Sequence, residues 1–168
     1  MKSKSTGPHL LYVSSYSQEV LDFWERVKAE TGIEEDLLGA WPFGDSPELA
    51  GELLGYILEG KKRAATDLVK EMEFHDDPEP QVGAYCIVLD GAGRPAAVTR
   101  TVGLRRTTFD DVDAEHAFWE GEDDQTLESY RREHIRYFMR LGRTMGFTFY
   151  EEMEVVLERF ELVWPVDR

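Results

Sequence analysis

Three consecutive cations, Lys61, Lys62 and Arg63, directly follow Gly60 in a chain whose formal net charge is -15. Cations at the C-terminal end of a helix interact favourably with the helix dipole, by about 0.3–1 kcal/mol at an exposed site. This effect accounts for one or two of the three residues. In a partly desolvated cleft, a lysine would instead stabilise an oxyanion, and an arginine would bind a phosphate. The cluster therefore marks either a solvated helix end or the wall of a substrate cleft.

Other reactive side chains have simpler explanations. The HDD stretch at 75–77 lies in a proline-containing loop with no second His or Cys cluster nearby, so we expect an exposed turn and no metal site. Cys86 lies in an apolar run, which indicates a core position, although a pairing with His116 or His134 stays open. The sequence has no P-loop, Rossmann fingerprint or Gly-x-Ser-x-Gly elbow, and we expect no cofactor.

The elements that would position these residues follow from hydrophobic periodicity and from capping signals. Helices are predicted over residues 14–32, 46–60, 111–121 and 125–146, and strands over 82–90, 95–109 and 154–166. Residues 33–45 are rich in glycine and aromatic side chains and are predicted to form a loop, as are residues 74–81. This order of elements favours an α+β fold with a small, curved or closed sheet.

Length and composition predict a single domain. A chain of 168 residues can bury a sizeable core, and 42% hydrophobic residues are typical of a globular protein. Charges interrupt every apolar run well short of about 18 residues, so no transmembrane segment is expected. The N-terminal "MKSKSTGPHLLYVSS" has too short an apolar stretch for a signal peptide, and the single cysteine excludes an internal disulfide. We therefore expect a cytoplasmic protein with no membrane partner.

The acid excess restricts the possible ligands. The chain has 34 Asp and Glu residues against 19 Lys and Arg, and residues 110–128, the acidic segment, contain no Lys or Arg at all. Tight binding to long nucleic acid depends on a basic surface that neutralises many phosphates. We therefore expect no long duplex as a partner, whereas a nucleoside, a nucleotide or a small RNA element would be repelled less.

Four segments, taken in order, resemble the longer bacterial subgroup of the ASCH family, which shares a PUA-like barrel. They are "WPFGDSPELAGELLGYILEGKKRAAT", "VGAYCIVLDGAGRPAAVTRT", "FDDVDAEHAFWEGEDDQTLESYRREH" and "FYEEMEVVLERFELV", and together they run from about Trp41 to the C-terminus. The resemblance implies a PUA-like small curved or closed β-barrel with surrounding helices. Residues 1–168 would form a single ASCH-like domain, with residues 1–40 as an N-terminal helical extension packed on it.

The resemblance also implies a cleft for RNA or nucleosides, since some members are acetylcytidine amidohydrolases and at least one is described as a ribonuclease. In the amidohydrolases, a Gly-x-Lys-x-x-Thr motif supplies a lysine and a threonine nucleophile, and a later acidic motif supplies a glutamate. By position, the lysine falls on Lys62 and the glutamate on Glu120. The threonine position holds Ala65, and the nearest hydroxyl, that of Thr66, points to the opposite face of an extended segment. Lys62, Glu120 and Thr66 are the candidate catalytic residues.

Five further residues are candidate ligand contacts. Arg63 would pair with a phosphate or with the acidic segment. Trp119 and Tyr130 would stack on a base, as aromatic residues do in RNA sites, or pack in the core. Arg131 and His134 match the W/Y-R-x-x-H part of the subgroup's pattern. For His134, a buried, hydrogen-bonded structural role is the alternative.

Three functions fit these residues. In the first, the chain hydrolyses a modified nucleoside or short RNA, with Glu120 holding Lys62 and accepting a proton, which is worth about 10²–10⁴-fold in rate. There, a lysine whose pKa is lowered by burial activates water or a hydroxyl; a charged lysine stabilises an oxyanion or binds phosphate instead. In the second, the same cleft binds an RNA element or nucleotide without chemistry, which the alanine at position 65 favours. In the third, the acidic segment binds a basic protein.

Overall fold

The computed structural model describes residues 16–166, which form one five-stranded mixed sheet with helices packed on it. Residues 1–15, whose apolar stretch is too short for a signal peptide, lie outside the described range. The strand order is β1-β3-β4-β5-β2. In chain order the elements are α1 (Gln18–Thr31), β1 (Leu37–Trp41), α2 (Pro47–Glu59), β2 (Ala64–Leu68), α3 (Val69–His75), β3 (Tyr85–Leu89), β4 (Pro95–Thr108), α4 (Ala114–Glu120), α5 (Leu127–Met145) and β5 (Glu154–Trp164).

The observed helix boundaries follow from their caps, and α1 begins at Gln18, four residues later than predicted. The Ser17 hydroxyl accepts the hydrogen bond of the Val20 amide at the start of α1. At α2, the Ser46 hydroxyl accepts from the Leu49 amide, and Pro47 occupies the first turn. Gly60 ends α2 in the left-handed conformation, with φ 86°. The chain therefore leaves α2 abruptly, and the three cations begin there.

Two strands were missed by the sequence analysis. Residues 33–45, predicted as a loop, contain β1, which pairs in parallel with β3. The strand β2 directly follows the three cations and pairs antiparallel with β5. Both lie at the edges of the sheet and are five residues long, so pairing with β3 and with β5 stabilises them where their own composition does not. Helix α3 also extends through His75, into residues predicted as a loop.

The fold is α+β, as predicted, but the sheet is not closed into a barrel. The strands β1 and β2 lie at opposite edges of the sheet. Helix α1 packs on one end of the sheet, where Phe23 and Trp24 join the core. Within residues 16–166, no helix combines the length and the apolar character needed to cross a membrane.

A second core lies where α4 and α5 pack on β2 and β5, and Phe109 is at its centre. The Phe109 side chain is fully buried and stacks on Tyr130, with ring centroids 5.9 Å apart. The edges of the Phe138 and Phe149 rings complete its surroundings. This core holds Tyr130 and the inner face of α5 against the end of β2.

We expect Phe109→Ala to lower the free energy of unfolding by about 3–5 kcal/mol, because the ring leaves a cavity in a packed core. Phe74→Ala is the matched control, since the Phe74 side chain is 55% exposed, and we expect a change within about 0.5 kcal/mol. Urea denaturation measures both values. Equal losses in the two variants would contradict the placement of this core.

Candidate functional site

A cavity of about 530 Å³ opens beside β2 and is lined by parts of α2, α4 and α5. Its volume falls in the range of about 300–1,000 Å³ typical of small-molecule sites. Lys62, Thr66, Glu120, Tyr130 and His134 all contribute to its lining. Aromatic side chains form further parts of the wall, namely Trp41, Phe43, Tyr56 and Tyr137. Five of the eight predicted site residues therefore meet at one cavity.

Backbone hydrogen bonds fix the segment that carries the cations. The amides of Lys61 and Lys62 donate to the Tyr56 carbonyl oxygen at 2.9 and 3.0 Å, which completes the last turn of α2. The Arg63 amide then donates to the Trp119 carbonyl oxygen at 2.7 Å, at the end of α4. The segment is thus held between two helix ends, with the Lys62 side chain turned inward and only 1% of it exposed.

Gly121 makes this contact between helix ends possible. It follows α4 in the left-handed conformation, with φ 70°. A Cβ atom at this position would lie 2.3 Å from the Lys61 carbonyl oxygen and 2.8 Å from the Lys62 Cα. A glycine is required both by the backbone conformation and by the close approach. Glu120 therefore lies directly beside Lys62, although 58 positions separate them.

The Lys62 ammonium meets four acceptors in the interior. Its Nζ lies 2.9 Å from the Ala64 carbonyl oxygen, 3.2 Å from the Glu120 carbonyl oxygen, 3.4 Å from Glu120 Oε1 and 3.0 Å from Glu122 Oε2. Burial lowers the pKa of Lys62, but the charges of Glu122 and Glu120 outweigh it and raise the pKa above its ordinary value. Of the two roles considered for Lys62, the structure favours the permanently charged one.

The Glu120 carboxylate lies between two cations. Lys62 contacts Oε1, while Oε2 lies 3.2 Å from His134 Nε2. Burial raises the pKa of Glu120, but His134 and Lys62 lower it to well below its ordinary value. His134 Nδ1 lies 2.8 Å from the Tyr130 carbonyl oxygen, so both ring nitrogens face groups that only accept. The ring is therefore an imidazolium. Burial lowers the pKa of His134, but the charge of Glu120 outweighs this effect and raises the pKa above its ordinary value.

Thr66 occupies the place beside Glu120. It lies on the face of β2 that packs against α4 and α5, whereas Ala65 and Asp67 lie on the opposite face. The Thr66 hydroxyl donates to Glu120 Oε2 at 2.7 Å and lies 2.7 Å from the Tyr130 hydroxyl. Residue 66, and not residue 65, therefore meets the glutamate.

Three predicted ligand contacts do not line the cavity. The Arg63 guanidinium donates to the carbonyl oxygens of Ile57 and Lys62 at 2.7 and 2.9 Å, and so secures the end of α2. The Arg159 guanidinium carbon lies over the Trp119 ring, 5.6 Å from the ring centroid. The Arg131 side chain pairs with Glu151 and lies over the Phe109 ring.

Two site residues escaped the sequence analysis. Glu122 contacts Lys62, and His116 Nε2 lies 3.0 Å from the Thr66 hydroxyl oxygen. His116 precedes Glu120 by four positions, which places both on one face of a helix. That spacing was the available signal. Among residues 16–166, no group of three or more His, Cys, Asp or Glu side chains is placed to hold a metal ion.

A second set of carboxyl groups in the cavity lining is in a different state; we call Asp67, Glu71, Asp77 and Glu158 the acid wall. Burial raises the pKa of Asp67 to about 6, of Glu71 and Asp77 to about 7, and of Glu158 to about 8. Mutual repulsion, chiefly with Asp67, adds to this effect. Glu158 accepts a hydrogen bond from Thr101, and Glu71 accepts one from Tyr137. Near neutral pH, Glu158 therefore retains most of its proton and Glu71 and Asp77 part of theirs, while Glu120 is ionised.

We expect Gly121→Ala to lower the free energy of unfolding by about 1–3 kcal/mol more than Gly146→Ala does, because only the first adds an overpacked contact. Gly146 is the matched control, since its φ is also positive, at 83°, and its Cβ would meet no neighbour within 4 Å. Both variants share the strain of the left-handed conformation. Urea denaturation gives the difference, and equal losses would contradict the contact between Gly121 and Lys61.

We expect the thermal midpoint to fall as the pH rises from 5.5 to 8.5. The raised pKa values of the acid wall and of His134 mean that the folded state binds more protons than the unfolded chain in this range. The lowered pKa of Glu120 acts in the opposite sense only as the pH falls below about 4.5.

Glu158→Gln should therefore raise the midpoint at pH 8.5 by a few degrees, since 1 kcal/mol corresponds to about 2–4 °C for a chain of this size. Glu161→Gln is the control on the same strand, because Glu161 is exposed and pairs with Arg100. Calorimetry at both pH values measures the shifts. A midpoint that rises with pH would contradict the raised pKa of the acid wall.

Known proteins resemble this chain in sequence and in fold. The family model of the ASCH domain matches residues 39–164. The crystal structure of an ASCH domain from Lactobacillus crispatus JV V101 superposes with a TM-score of 0.82 at 26% identity, covering 91% of this chain and 99% of that chain. A protein from Enterococcus faecalis V583 gives a TM-score of 0.79 at 27% identity, covering 88% and 91%.

No curated protein matches the chain. The family match covers most of the chain, from the middle of β1 to the end of β5. The mixed sheet with its helices agrees with the PUA-like fold of ASCH domain structures. The chain belongs to the ASCH domain family.

Proposed function

We propose that this chain binds a modified nucleoside, free or within a short RNA element, in the cavity beside Thr66, and hydrolyses an acyl group from it. The ASCH domain family is generally thought to bind RNA. The observation that carries the catalytic part is the 2.7 Å hydrogen bond from the Thr66 hydroxyl to Glu120 at the cavity wall. A hydroxyl held by an oriented base is the usual arrangement of a nucleophile.

In the proposed reaction, Thr66 Oγ1 forms a bond to the acyl carbon while its proton passes to Glu120 Oε2. The bond between the acyl carbon and the leaving nitrogen or oxygen then breaks, and the leaving atom takes that proton. Water attacks the acyl-threonine in the second step. Its proton passes through the same carboxylate to Thr66 Oγ1, which releases the carboxylic acid and restores the site.

Lys62 and His134 orient the base in this scheme. All three N–H donors of Lys62 are used by the acceptors around it, so its charge acts on the ligand through Glu120. His134 donates to the other carboxylate oxygen. Both cations hold Glu120 in one orientation, which supports its role as the proton acceptor. Their positive charges also weaken its basicity.

The charge of the lining supports a ligand without phosphate inside the cavity. Ten carboxyl groups line it, against three Lys or Arg side chains. Each of these three cations is paired: Lys62 with Glu120, Arg132 with Asp123, and Arg140 with Asp45. The aromatic wall offers rings on which a nucleobase would pack. A neutral nucleoside therefore fits this lining better than a nucleotide does.

A second candidate is a binding module that performs no chemistry. It is favoured by the complete hydrogen bonding of the Thr66 oxygen, which has Glu120, Tyr130 and His116 around it. An attacking oxygen needs a free lone pair, and this one has none until a partner moves. Binding without turnover requires no such movement.

Thr66→Val and Thr66→Ser distinguish the two candidates. Assays of wild type and variants measure kcat, KM and binding. The substrates are nucleosides that carry an acetyl or another acyl group, and the 5′-monophosphates of these nucleosides. We expect Thr66→Val to abolish turnover, Thr66→Ser to retain it, and Glu120→Gln to lower kcat by about 10²–10⁴-fold. Monophosphates should bind more weakly than nucleosides.

Thermal midpoints serve as the folding control for each variant. Turnover at the wild-type rate in Thr66→Val would contradict the role of Thr66 as the nucleophile. If turnover in Glu120→Gln is also unchanged, the proposed enzymatic function fails. Nucleoside binding without any turnover would establish the second candidate. If no nucleoside, nucleotide or short RNA binds, both candidates fail.

A further inference from the structure

His116 is the histidine of the site that no motif assigns. It lies on α4, one turn before Glu120, and only 4% of it is exposed. Its backbone amide donates to Asp113, which caps the helix, and its ring meets the Tyr130 ring edge-on at 5.9 Å. Helix and ring contacts therefore fix the imidazole, with Nε2 directed at Thr66.

The protons around the Thr66 oxygen can be assigned from its three partners. Glu120 Oε2, at 2.7 Å, belongs to an ionised carboxylate and only accepts. The single hydroxyl proton of Thr66 is therefore donated to Glu120. The Tyr130 hydroxyl, at 2.7 Å, and His116 Nε2, at 3.0 Å, must then both donate to Thr66 Oγ1. Glu120 Oε2 also lies 3.5 Å from His116 Nε2 and likewise only accepts, so His116 carries a proton on Nε2.

Two donors directed at Oγ1 have a chemical consequence. When Thr66 gives its proton to Glu120, negative charge develops on Oγ1, and a carboxylate held between two cations is a weak base for that proton. Hydrogen-bond donors already in place stabilise such a developing charge. His116 does not line the cavity, whereas Tyr130 does. His116 therefore acts from behind the nucleophile, out of reach of the ligand.

We propose that His116 is a positioning residue of the Thr66 site, whose Nε2–H holds the threonine oxygen and stabilises the charge that develops on it. The role in turnover rests on the proposed function. The donor role at Thr66 does not, because it follows from the hydrogen bonds of Thr66 and from the ionised carboxylate that Lys62 and His134 flank.

His116→Phe removes the donor with a ring of similar size, and His116→Gln places an amide N–H near the position of Nε2. We expect kcat of the Phe variant to fall by about 10²–10³-fold, as for the loss of one oxyanion donor. KM should stay within about twofold, because His116 does not contact the cavity, and the Gln variant should recover part of kcat. His75→Phe, at the end of α3 away from the cavity lining, is the control and should leave both constants unchanged.

A measurement without turnover completes the test. In ¹⁵N-labelled protein, NMR correlations of the imidazole should show a proton on His116 Nε2, and this signal should move in Thr66→Val but not in His75→Phe. A ring protonated on Nδ1 alone would overturn the proposal, as would wild-type kcat in a folded His116→Phe variant. If the wild type turns over no acylated nucleoside, the proposed function fails, and the NMR signal alone decides the donor role.

Discussion

The buried ion pair between Lys62 and Glu120 is the constraint on which the rest of the site depends. Removing two charges from water costs several kcal/mol per ion unless each finds partners of good geometry. Here the partners come from a turn after α2, from the end of α4 and from α5, through His134. The pair therefore requires the two helix ends to touch, and Gly121 is the residue that permits this contact. An ammonium ion with four acceptors leaves little freedom to the groups around it, so Glu120 is presented to Thr66 in one orientation.

The same pair divides the cavity electrostatically. Near Lys62 and His134, the carboxylate of Glu120 is stabilised as an anion, and its pKa lies well below the ordinary value. In the acid wall, Glu158 has no cation within ion-pair distance among residues 16–166, and burial raises its pKa to about 8. Carboxyl groups whose environments push their pKa values apart are the usual basis for separating acid from base roles in one site. The lining of this cavity therefore combines an ionised carboxylate, Glu120, with a largely protonated one, Glu158.

Sequence patterns predicted the parts of this arrangement that depend on neighbours along the chain. The caps of α1 and α2, the long strands β4 and β5 and the turn at Gly60 are local, and their boundaries follow from residue types. The edge strands β1 and β2 depend on pairing with distant strands, so their composition did not reveal them. The resemblance to the ASCH family indicated Lys62 and Glu120. Their contact, the role of Glu122 and the outward turn of Arg131 depend on how α4, α5 and β5 pack, which no local pattern encodes.

The position of the hydroxyl shows how strand geometry limits a motif. A threonine at 65 would lie on the face of β2 that carries Asp67, away from Glu120, whereas Thr66 lies on the face toward α4 and α5. The hydroxyl that meets the base is therefore set by the alternation of the strand. Its oxygen has every hydrogen-bond capacity in use, so any attack needs one donor to withdraw. His116 lies on α4, outside the cavity lining, whereas Tyr130 is part of the cavity wall. Because Tyr130 and not His116 lines the cavity, the proposed reaction requires the Tyr130 hydroxyl to withdraw and leave a lone pair of Thr66 Oγ1 free for the acyl carbon.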